Sequence, residues 1–142
     1  MQGSRTYTGA LSFYNTRVEL SDTVVRDIRL EDGIHFLRSE VDLRNVRVAN
    51  TQSDGIDADF CVVRVDGLVM EEIGSLGEFG GDGLDVSGSL LELTNGNFES
   101  GADKGISVGE NAKVSIANTM IRGSDIGVAV KDGSFAEVEG SQ

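Results

Sequence analysis

The chain reads as an all-β protein: a right-handed parallel β-helix, a solenoid of about 22 residues per coil with three short parallel sheets. Three observations predict this. A glycine-centred pentapeptide recurs along the chain, apolar residues alternate with period two, and a Gly, Asn or Asp stands at one fixed corner of each copy.

The pentapeptide occurs as DGIHF at 32, DGIDA at 54, DGLDV at 82, KGISV at 104 and IGVAV at 126. Its glycines (Gly33, Gly55, Gly83, Gly105 and Gly127) are spaced 22, 28, 22 and 22 residues apart. Behind them stand the inward pairs Ile34 and Phe36, Ile56 and Ala58, Leu84 and Val86, and Ile106 and Val108. A second alternating pair follows: Val41 and Leu43, Val63 and Val65, Leu91 and Leu93, then Val114 and Ile116. Next comes the corner residue, Asn45, Gly67, Asn95 or Asn118. A third apolar segment closes each copy, at 46–48, 68–70, a stretch ending at Phe98, and 120–121. Upstream, Leu11, Phe13, Val18, Leu20, Asp22, Val24 and Val25 repeat the order once more.

Strands this short cannot enclose a core within one copy. Stacked copies can, because each strand then lies on its counterpart at about 4.8 Å and seals an apolar column. No apolar pattern of period 3.6 survives beyond a turn, which argues against helix. The corner residues are those that tolerate a left-handed backbone, and stacked Asn side chains can bond along the axis as an asparagine ladder. Residues 1–142 form one domain, with coils starting near 10, 32, 54, 82, 104 and 126. The last copy stops near its second corner and neither end resembles a cap, so the chain reads as an excerpt of a longer protein.

The stretch GGDGLDVSGS at 80–89 opens like a calcium β-roll nonapeptide, but Ser87 occupies the place of its large apolar residue. Nothing recurs nine residues later either. It is the junction of a loop with the first strand of a coil. The chain contains no proline and 19 glycines, as suits many short strands joined by tight turns. A net charge of -12 argues against nucleic acid as a partner. No apolar run reaches the ~18 residues of a membrane span, and no basic start leads into an apolar segment. The single cysteine, Cys61, excludes an internal disulfide and is expected to be packed.

The runs EDGIHFLRSE, SDGIDADF, GGDGLDVSGS, DKGISVGE and IGVAVKDGS, covering roughly residues 10 to 140, resemble the pectate-lyase-like right-handed β-helix superfamily. Within it they look like a bacterial β-helix repeat module. The resemblance implies a secreted or surface protein and a polysaccharide partner. It also implies a site on the outward face of the first strands and their preceding loops. It does not choose an activity, because the superfamily mixes lyases, hydrolases, epimerases and adhesins. The polygalacturonase motifs are missing, and Lys131 and Arg38 are expected away from the acidic cluster, where a lyase would need its base.

The outward first-strand places hold His35, Asp57, Asp59 and Asp85, with Asp54 and Asp82 just before the strand and Lys104 next in their column. Stacking sets Asp57 beside Asp85 at about 4.8 Å, with Asp59 roughly 6.6 Å along the strand. Two carboxylates at that separation repel by roughly 3 kcal/mol at an effective dielectric of 20. A cation, a shared proton or solvation relieves this, and Asp57, Asp59 and Asp85 are therefore the candidate calcium ligands. Between Met70 and Asp82 lies EEIGSLGEFGG, longer than the same connection elsewhere, which can wall this face and present Phe79. His35 is expected as exposed polar surface, and Lys104 as the partner of Asp82 or Asp103. The reading is an acidic structural or recognition module, contacting carbohydrate and cations through this face. The alternatives are a calcium-assisted polysaccharide lyase or epimerase, and a homo-oligomer stacking end to end.

Overall fold

The computed structural model describes residues 7–99 and 103–142. The opening MQGSRT, expected to lack a cap, lies outside them. The alternating pattern becomes strands β1 (Gly9–Tyr14), β2 (Arg17–Ile28), β3 (Asp32–Leu37), β4 (Glu40–Thr51), β5 (Asp54–Asp59) and β6 (Val62–Glu71). They are followed by β7 (Leu84–Ser87), β8 (Leu90–Glu99), β9 (Lys104–Gly109), β10 (Lys113–Ala117), β11 (Met120–Arg122), β12 (Ile126–Val130) and β13 (Phe135–Glu139). One parallel ladder runs β1-β3-β5-β7-β9-β12; the other runs β13-β10-β8-β6-β4-β2, with β11 also on β8. The result is a parallel β-solenoid of about 6 turns.

The second and third apolar segments, expected as separate strands, run on as single bent strands in β2, β4, β6 and β8. The physical reason is the economy of the corner. One residue in the left-handed region turns the chain, at Asp22 (φ 51°), Asn45 (51°), Gly67 (81°), Asn95 (57°) and Asn118 (48°). Ladder bonding resumes at once on either side. Three faces are thus served by two ladders. The amide ladder at this corner is mixed. Asn45 Nδ2 donates to Asp22 Oδ1 at 2.6 Å and Asn118 Nδ2 to Asn95 Oδ1, but Gly67 interrupts the column. Asp66 stands in, accepting from Asn95 Nδ2 at 2.7 Å.

The inward pairs of the first strands are sealed. Ile34, Phe36, Ile56, Ala58, Leu84, Val86, Ile106 and Val108 are each at most 1% exposed. Ile34, Ile56, Leu84 and Ile106 stand in one file, as their register shows. Burying each large aliphatic side chain contributes about 1.5–3 kcal/mol. Cys61 is buried, as expected.

The glycine column has a steric cause. A Cβ on Gly33, Gly55, Gly83 or Gly105 would stand only 2.5, 2.6, 2.5 or 2.7 Å from the carbonyl oxygen of the glycine one coil on. Backbone from two coils meets there, and neither can retreat without breaking the ladder. A Cβ on Gly127 would meet nothing within 4 Å. Gly83→Ala is therefore expected to destabilise the fold by about 3 kcal/mol or more. Gly127→Ala should stay within about 0.5 kcal/mol of the parent. Urea unfolding of the two variants checks this, and equal losses would refute the steric explanation.

Candidate functional site

The outward first-strand residues fall into register as the repeat requires. His35 lies beside Asp57, Asp57 beside Asp85, and Asp85 beside Ser107; one step along, Leu37, Asp59 and Ser87 form the next row. Asp32 pairs with Asp54 at the strand start.

The carboxylates of the repeated Asp-Gly have a clear structural task. Asp54 Oδ1 accepts the N–H of Asp82 at 2.8 Å, and Asp82 Oδ1 accepts the N–H of Lys104 at 3.2 Å. Each side chain thereby staples its coil to the next. Lys104 Nζ lies 3.3 Å from Asp82 Oδ1 and 2.6 Å from Asp103 Oδ2, so both expected partners hold it. Asp103 raises the Lys104 pKa most, by its hydrogen bond, and Asp82 adds to it.

Asp32 breaks the pattern. The N–H of Asp54 goes instead to the carbonyl of Glu31 at 3.0 Å. Asp32 is 2% exposed, and its Oδ2 has no hydrogen-bond partner. Repeat alignment places Asp32 at the head of the Asp54 and Asp82 column, and that was the signal that could have found it.

His35 is not the exposed surface residue expected from the sequence. It points outward but is only 9% exposed, because neighbouring coils close over the ring. Its Nδ1 stands 2.8 Å from Thr8 Oγ1 and 3.2 Å from Tyr14 Oη, with the Tyr14 ring edge-on at 5.3 Å. Its Nε2 stands 3.2 Å from Asp59 Oδ2 and 3.7 Å from Asp57 Oδ2. The hydrogen bond with Asp59 raises the His35 pKa most, opposed by burial and assisted by Asp57. Thr8 and Tyr14 belong to the irregular first coil, where no motif marks them.

Among the described residues, one group of three potential ligand atoms converges within 4.8 Å, on Asp32, His35 and Asp57. It shares Asp57 with the expected calcium set. Burial, then the charges of Asp59 and Asp32, pushes Asp57 up to about 8. Burial, then Asp82 and Asp85 against the Asp82 N–H, pushes Asp54 up to about 6. Asp32 and Asp85 are likewise raised, chiefly by burial. Against that burial, Ser107 and then the charge of Lys131, which packs against Gly109, pull the Asp85 pKa down.

The long connection folds back over the preceding coil. Ile73 is buried, the Gly74 N–H donates to Thr51 Oγ1 at 3.1 Å, and the Leu76 N–H donates to the Thr51 carbonyl at 3.1 Å. Beyond these anchors, Phe79 stands 94% exposed. It overlooks an open cleft of about 540 Å³ lined also by Glu31, Gln52, Ser53, Leu76 and Glu78. Glu31 and Ser53 immediately precede Asp32 and Asp54, so the cleft adjoins the start of the acidic face.

The raised carboxylates set a direction for stability. Asp54 and Asp57 keep protons in the fold at pH values where the unfolded chain, with ordinary values near ~3.9, has lost them. From about pH 4 to about 6 for Asp54, and to about 8 for Asp57, the native state binds more protons, so stability falls as pH rises. His35 acts in the same sense: its contribution is full below its ordinary pKa and is lost as pH rises through the raised one. Asp32, Asp59, Asp82, Asp85, Glu31, Lys104 and Lys131 complete the ionisable surroundings. In metal-free buffer, stability should decline by on the order of 2 kcal/mol between about pH 5 and pH 8. Asp57→Asn should remove most of that decline and raise stability at the alkaline end. Denaturant titrations at each pH measure it; a rising profile, or no change in Asp57→Asn, contradicts the assignment.

No family model, curated protein or solved structure matches the chain.

Proposed function

We propose that this chain is a β-solenoid recognition module that contacts a neutral saccharide through the cleft beside its first-strand face. The observation that carries the reading is Phe79, a fully presented aromatic ring on a loop riveted to the scaffold, above polar Gln52, Ser53 and Glu31. A ring supplies apolar contact at little entropic cost, and the polar groups supply hydrogen bonds to hydroxyls. Glu31 and Glu78 disfavour an anionic glycan in this cleft. The resemblance to pectate-lyase-like β-helices, in which sites occupy this face and its preceding loops, supports the same placement.

A calcium-assisted lyase or epimerase is the second reading, favoured by the Asp57 and Asp85 pair in register. It needs a free base over those acids. Lys104 is held by two carboxylates, which leaves Lys131, two coils on, as the cation whose charge reaches Asp85. End-to-end stacking is a third reading, for which Val138 speaks: it continues the inward file of Leu93 and Ile116 yet is exposed.

Calorimetric titration with neutral and anionic oligosaccharides tests the proposal. Neutral ligands should bind, and Phe79→Ala should weaken them roughly tenfold with the fold intact. Binding indifferent to Phe79→Ala would refute the cleft. Unsaturated product from pectate or alginate, abolished by chelator, would replace recognition with catalysis.

A further inference from the structure

We propose that Asp32, His35 and Asp57 form a binding site for a divalent transition-metal ion of the zinc kind. The inference goes beyond the saccharide reading and uses none of its residues.

The ligand atoms converge to a spacing somewhat wider than such an ion's coordination shell. Donors about 2.0–2.2 Å from zinc lie roughly 2.9–3.6 Å from one another at octahedral or tetrahedral angles. His35 Nε2 is 3.7 Å from Asp57 Oδ2, and a carboxylate oxygen of Asp32 completes a triad whose atoms all lie within 4.8 Å.

Two further features point to a ligand. Asp32 Oδ2 is buried without a hydrogen-bond partner, a costly state for a carboxylate oxygen that a cation would relieve. Asp54 and Asp82 spend an oxygen on the next coil's amide, whereas in the Asp32 coil the Glu31 carbonyl takes that amide. The other feature is the far side of the imidazole. With Nδ1 protonated and donating to Thr8 Oγ1 or Tyr14 Oη, the lone pair of Nε2 faces the carboxylates. Metal-binding histidines are oriented by this kind of outer hydrogen bond.

The donor chemistry selects the class of ion. Calcium takes six to eight oxygens, whereas one imidazole and two carboxylates suit zinc, with a water in the remaining position. Asp59, 3.2 Å from Nε2, is released from that contact once the nitrogen binds metal.

The test uses the tag-free chain, stripped with chelator and titrated calorimetrically with zinc and, separately, calcium. His35 is the only histidine, so nitrogen ligation reports one residue. One zinc per chain is expected, bound at least a hundredfold more tightly than calcium, with Asp32→Asn and His35→Gln each weakening it more than about tenfold. Asp85→Asn should change it less than twofold. A loss in Asp85→Asn matching that in Asp32→Asn would return the ion to Asp57, Asp59 and Asp85 and overturn the proposal. So would zinc binding that both ligand variants retain, or none in the folded parent. Cobalt added to the parent chain gives a readout that needs no variant. Visible absorption displaced by one equivalent of zinc is expected, and its absence counts against the site.

Discussion

Everything in this molecule follows from how closely one turn of backbone lies on the next. At about 4.8 Å between ladder strands, nothing larger than a hydrogen fits where a Cα substituent would point at the carbonyl of the next coil. That single distance selects glycine at Gly33, Gly55, Gly83 and Gly105, whose absent Cβ atoms would press on the following carbonyls. It also calls for sharp corners, and left-handed residues turn the chain at Asn15, Asp22 and Asp27, then at Arg38, Asn45 and Asn50, then at Phe60, Gly67 and Glu72. The dry column of Ile34, Ile56, Leu84 and Ile106 is the apolar consequence of the same stacking.

The polar consequence is charge on charge. A repeat that places an acid outward in successive coils must place carboxylates side by side, at a separation where repulsion costs several times thermal energy. The fold answers in different ways along one face. Backbone N–H groups meet Asp54 and Asp82, Lys104 bridges Asp82 and Asp103, and retained protons account for Asp57. At Asp32 one oxygen is left without such an answer, and this is where the coils converge with His35 and Asp57 on a compact donor set.

What could be read beforehand was whatever repeats. The inward pairs, the glycine column, the Asn-rich corner and the Asp57–Asp85 adjacency are periodic, and each matches its place in the ladders. What could not be read lacks a residue signature. Arg38, Phe60, Glu72 and Glu110 adopt left-handed corners although their types do not favour it; there stacking overrides local preference. The burial of His35 depends on Thr8 and Tyr14, from a coil too irregular to align. The reach of Lys131 toward Asp85 depends on a long flexible side chain passing over Gly109, which strand spacing alone does not describe. Asp32 was legible in principle, since it heads a visible column. Its distinction from Asp54 and Asp82 lies in which carbonyl captures an amide, and composition carries no trace of that.

The extra residues between β6 and β7 enter without disturbing the ladders on either side: Ile56 still faces Leu84, and Val62 still faces Leu90. Length at this corner is therefore decoupled from the architecture that carries it. Such a junction is a natural graft point, where segments of different size and chemistry can be exchanged while the scaffold beneath stays in phase. Diversification of what the surface meets can then proceed one corner at a time, leaving the folding problem untouched.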